Sequence, residues 1–192
     1  MSDLTDYMDQ RRSALENAFF RQQDEAARER LRAKTDAESL RAMLSTASGV
    51  TDEAVLDELV RIDITPETVA AIGIIPLAAI AWADREMDER ERAAILKAAA
   101  EFGIAESHPA HDLLQNWLTQ PLSDDVIDAW KQYIAAVSAS MNPEASAALR
   151  RDLIGRATKV AEAAGGFLGL GNKVSDVERR TLHELDAAFD VG

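Results

Sequence analysis

The stretch Ala81–Leu96, AWADREMDERERAAIL, decides the fold. An alanine-rich apolar segment ends in it, an acidic turn follows, and Met87-Asp88-x-x-Glu91 opens a new run. A hydrophobic residue, a cap residue and a glutamate three positions later form a capping box. The cap side chain takes an orphan amide of the first turn, and the glutamate reaches back to the amide of the cap. Such a cap is worth about 1 kcal/mol. The pattern returns at Lys173–Leu185, KVSDVERRTLHEL, as Val174-Ser175-x-x-Glu178. Upstream, AIAWAD in the first copy matches KVAEAAG in the second. The unit is therefore helix, turn, hydrophobic residue, capped helix, present twice. The second copy carries a glycine-rich insert, GGFLGLGNKV, over 165–174.

Outward from these units the chain reads as helix almost throughout. Alanine, leucine, glutamate and arginine dominate, and alternating β-branched runs are absent, so no strand is expected. Asp52 or Thr51 starts a short helix to about Arg61. Thr65-Pro66-Glu67 starts another, with Pro66 at its first position, and Gly73 and Pro76 break or kink it. Asp88 starts a helix that stops at Gly103. Further helices open at Ser107-His108-Pro109, Ser123, Asn142-Pro143 and Ser175, for about nine in all. Residues 4–47 form a long helical arm, unbroken or broken once, ended by Gly49. Its middle, Arg21–Arg41, holds six basic and five acidic residues, with Leu31 and Leu40 as the large apolar side chains. Such a segment is a solvated stalk or pairs along one narrow seam. The expected organisation is a charged N-terminal arm over 1–48 and a helical domain over 49–192. Its repeat units lie around 66–103 and 143–189.

Composition narrows function. The 192 residues contain no cysteine, which removes disulfides, thiolate metal sites and cysteine nucleophiles. The start MSDLTDYMDQRR lacks an apolar run, and the whole reads as cytoplasmic. The longest apolar run, Val69–Ala83, would span roughly 22 Å as a helix, short of the roughly 30 Å of a bilayer core, so a buried helix pair is expected. A net charge of −13 repels nucleic acid and anionic lipid and suits divalent cations or a basic protein partner.

The duplicated unit resembles the tellurite-resistance TerB family and its relatives, over roughly residues 66–192. Their motif is A-x-A-D-G-x-hydrophobic-[DS]-x-x-E, and AWADREMDERE departs from it with Arg85 in the glycine place. The resemblance implies an all-α bundle of two pseudo-repeated halves and a stress-associated, non-enzymatic role, with acidic clusters that suggest metal in some members. The N-terminal part, RRSALENAFFRQQDEAARERLRAKT, resembles the small zeta-subunit family that inhibits F1-ATPase. Its arginine–asparagine core motif is missing here, so the inhibitory role is not carried over.

Four constellations bear on chemistry. Gly166-x-x-x-x-Gly171 has P-loop spacing, but Asn172 stands where lysine must follow and a helix precedes it, so it reads as a connector. Asp84, Glu86, Asp88 and Glu91 resemble the back half of a calcium loop, a candidate site for a weakly bound divalent cation. Capping explains the same residues, and it alone explains the second copy, where serine is a poor cation ligand. His108, His111 and Asp112 share a first helical turn without a firm third ligand. No serine lies on a nucleophile elbow. The reading is a non-enzymatic interaction or scaffold protein, or alternatively a divalent-cation binder. It needs no cofactor beyond such a cation. A protein partner or a second copy is expected at Leu15, Phe19, Phe20 and Leu31 of the arm and at Phe167, Leu168 and Leu170 of the insert.

Overall fold

The computed structural model describes residues 32–164 and 174–190, and every described element is helical or a turn. The chain divides into two units, Met1–Ala42 and Met43–Gly192. The division falls inside the first described helix, α1 (residues 32–48). In the first unit, Lys34 and Glu38 form an exposed i,i+4 ion pair at 3.8 Å. In the second unit Leu44 is fully buried in the core, so the end of the helix belongs to the folded domain.

The remaining helices follow in order. They are α2 (Glu53–Arg61), a 3₁₀ turn (Val69–Ile74), α3 (Ile75–Ala81), α4 (Glu89–Glu101), α5 (His111–Thr119), α6 (Asp124–Ser140), α7 (Pro143–Ala164) and α8 (Asp176–Asp186), with a 3₁₀ turn at Ala187–Phe189. α3 is the hub. All seven of its residues, IPLAAIA, are buried, and it packs on α4, α6, α7 and α8. A helix apolar on every side can only sit inside a bundle. The run expected as a buried helix pair is thus one central helix entered through a 3₁₀ turn. Pro76 lies in the first turn of α3, where its missing N–H leaves no bond unmade.

Two expected helix starts move. Pro66 does not open a helix. The Thr68 hydroxyl accepts the Thr65 N–H at 2.8 Å and the Thr68 N–H donates to the Thr65 carbonyl at 3.0 Å, closing a local turn instead. Likewise α5 begins at His111 rather than at Ser107. His108 Nδ1 accepts the Ala110 N–H at 3.0 Å and holds the preceding turn. The far end of α5 is tied to the centre. Trp82 Nε1 donates to the Trp117 carbonyl at 2.8 Å, and Arg92 donates to the Leu118 carbonyl at 2.5 Å. Those carbonyls are among the last four of a helix, which have no partner within it.

The pairs α3–α4 and α7–α8 form the frame. α3 packs on α7, α4 on α7 and α8 on α3, so exchanging the two pairs leaves the list of packed faces unchanged. The register follows from burial. Leu77, Ile80 and Ala81 of α3 correspond to Ala157, Val160 and Ala161 of α7, and all six are buried.

Candidate functional site

Both capping boxes are formed. Asp88 accepts the N–H groups of Arg90 and Glu91, each at 2.8 Å, and Glu91 accepts the Asp88 N–H at 2.9 Å. Ser175 accepts the Glu178 N–H at 3.2 Å, and Glu178 accepts the Ser175 N–H at 2.5 Å. Met87 and Val174, one residue before each cap, pack against the core. Glu91 (4% exposed) and Glu178 (9%) are the two charged residues in the interior among the described residues. Burial pushes the Glu91 carboxyl up to about 7, and the negative charges of Asp88, Glu178 and Asp84 add to it against the pull of the Asp88 N–H. The two caps therefore lie close enough to act on each other.

This arrangement fixes where the acidic turn stands. Asp84 accepts the Glu86 N–H at 3.0 Å, Asp88 and Glu91 are held by backbone amides, and Glu86 is exposed. Among the described residues no three His, Asp or Glu side chains are grouped to hold a metal ion. Arg85, at the place where the resembled motif has glycine, has φ 70, the left-handed region that glycine enters without steric cost. His111 lies against Gln115 at 3.1 Å and Asp112 is exposed. Leu15, Phe19, Phe20, Leu31, Phe167, Leu168 and Leu170 lie outside the described residues.

A site that sequence reading missed lies between α4 and α7. It is an open groove of about 320 Å³. Ala94 and Ala98 of α4 and Gly155 and Val160 of α7 line it, with Lys97, Arg151 and Lys159 around them. A Cβ added at Gly155 would meet nothing within 4 Å, so the helix surface is open there. The groove's own acids are already engaged. Arg156 bonds Asp152 at 3.0 Å and also pairs with Glu101, while its guanidinium lies 4.8 Å from the centre of the Phe102 ring. Lys97, Arg151 and Lys159 have no carboxylate partner among the described residues, whereas Arg61, Lys131, Arg150 and Arg179 have theirs. The signal was present: Arg151, Gly155 and Lys159 are spaced i, i+4, i+8 and so share one helix face.

The corresponding cleft of the other pair lies between α3 and α8. It is smaller, about 180 Å³, and Pro121, Leu122 and Ile127 of the α5–α6 region form part of its lining. In the same register Lys97 corresponds to Glu184 and Lys159 to Ala79, both of which line this second cleft. The frame is shared, and the second cleft carries one cation, Lys131, which is paired with Asp128 at 3.8 Å.

Among the described residues no helix is long and apolar enough to cross a membrane. Compared with protein-family models, curated proteins and solved structures, the chain matches none.

Proposed function

We propose that this chain is a non-catalytic binding module, stress-associated in the sense that the TerB-like resemblance implies, and that its working face is the α4–α7 groove. One observation carries this reading. The conspicuous acidic residues Asp84, Asp88 and Glu91 are engaged with backbone amides as turn and cap groups, while the groove presents three cations free of carboxylate partners among the described residues. Side chains tied to helix starts support structure, and side chains left open on a concave face support recognition. In an acidic protein a groove with three such cations also gives direction, because it draws a negatively charged ligand against the repulsion of the net negative charge.

The test is genetic. Cells lacking the chain should grow worse on tellurite, and the intact gene should restore them. A version with Lys97→Glu, Arg151→Glu and Lys159→Glu should fail to restore, while Asp84→Asn with Glu86→Gln should restore fully. Melting temperatures of the purified variants separate loss of fold from loss of function. Unchanged tellurite growth in the deleted cells defeats the stress reading, and full rescue by the triple variant defeats the groove.

A further inference from the structure

We infer that the α4–α7 groove is a binding site for a small phosphorylated ligand. The inference deepens the reading of this groove as the working face and rests on it. Arg151 and Lys159 stand two helical repeats apart, about 12 Å along α7, with Gly155 midway between them. Gly155 leaves the helix surface bare, so a ligand can settle between the two cations against backbone and the small side chains of Ala94 and Ala98. Lys97 faces the same space from α4. Three cations around one bare floor match a compact ligand of several negative charges. Arg151 can offer a two-pronged donor to a phosphoryl group, and the lysines act as point charges. The volume of about 320 Å³ lies at the lower end of small-ligand pockets, too small to house a folded partner element.

Arg156 and its partners sharpen the argument. Left alone, Asp152 and Glu101 would repel an anion. Arg156 bonds both and is itself held over Phe102, which offsets half of their charge, and Lys97, Arg151 and Lys159 outweigh the remainder. The α3–α8 cleft is an internal control. On the same frame it carries Glu184 in place of Lys97 and Ala79 in place of Lys159, and the α5–α6 region forms part of its wall. Its one lining cation, Lys131 of α6, is paired with Asp128 at 3.8 Å, so of the two clefts only the α4–α7 groove presents cations without a carboxylate partner among the described residues.

The experiment is a calorimetric titration of the full chain with inorganic tripolyphosphate and pyrophosphate, and with citrate as the non-phosphate polyanion. Tripolyphosphate should bind, citrate should bind at least several-fold more weakly, and Arg151→Gln or Lys159→Gln should each weaken tripolyphosphate about tenfold. Gly155→Leu changes no charge and fills the floor, so it should abolish binding. Arg179→Gln and Arg180→Gln on α8 should leave it unchanged. Should Gly155→Leu unfold the chain, Gly155→Ala gives the milder version of the same test, with a weakened titration expected. Absence of heat with both phosphates, or binding that Gly155→Leu leaves intact in a folded protein, overturns the inference. If the cells still need the groove cations while the protein binds neither phosphate, the phosphate inference falls alone. The groove reading then stands with an acidic protein segment as its occupant.

Discussion

The clefts α4–α7 and α3–α8 sit on the same frame and have different contents. In the first, Ala98 and Gly155 keep the floor low and Lys97, Arg151 and Lys159 stand around it. In the second, the position of Ala98 is held by Leu185, which is 1% exposed, and Leu122 and Ile127 line a narrower space of about 180 Å³. A two-fold frame supplies a pair of equivalent concavities, and side-chain size decides which is the narrower. The same asymmetry runs through the caps. Asp88 gathers two amides at 2.8 Å, and Ser175 gathers one at 3.2 Å.

The largest expected effect breaks the comparison at the floor. Leu185→Ala should destabilise the protein by about 3 kcal/mol, because a buried leucine is lost and a cavity remains. Ala98→Gly at the equivalent place should cost about 1 kcal/mol, mostly helix propensity. Urea unfolding of the two variants measures the difference, and equal losses would mean that the two clefts are not built differently.

Glu91 gives the next largest effect. Its carboxyl is raised to about 7 from an ordinary value of 4.5, chiefly by burial. For an acid raised in this way the folded state holds its proton longer than the unfolded chain does. The stabilisation is complete below about pH 4.5 and is lost as pH rises through about 7. The stability contributed by this group should therefore fall by up to about 3 kcal/mol across that window. Glu91→Gln, which keeps an acceptor for the Asp88 amide, should flatten the slope. Denaturation at several values from pH 5 to 8 reads it directly, and an identical slope in wild type and variant would show that Glu91 titrates as an ordinary surface acid.

The caps give the smallest effect. Asp88→Ala should cost about 1.5 kcal/mol and Ser175→Ala about 0.7 kcal/mol, within the usual range for lost caps. Thermal unfolding ranks them. The reverse order would place more weight on α8 than its single, longer bond suggests.

Much of the helical order was legible in the residues. Asp52, Asp88 and Ser175 are cap residues in the sequence and cap helices in the structure. Pro66 and Ser107 misled, because Thr68 and His108 close turns with their own side chains just ahead of the helices, and a helix-start signature does not distinguish the two. The acidic turn stood out because charge is conspicuous in sequence, and the backbone claims most of it. Gly155 and its flanking cations did not stand out. A glycine inside an alanine-rich helix reads as a small defect, and Arg151 and Lys159 read as solvated surface.

The sequence by itself determined the helices, the repeated cap and the buried run that became α3. Each depends on residues within about four positions of one another, and hydrogen bonds at that range form wherever the segment lies. Only the tertiary structure decided that α4 and α7 leave the wider groove and that α3 and α8 leave a narrower one. That outcome depends on which distant side chains arrive at a given space and how large they are, and Leu122 and Ile127 line one of two equivalent spaces.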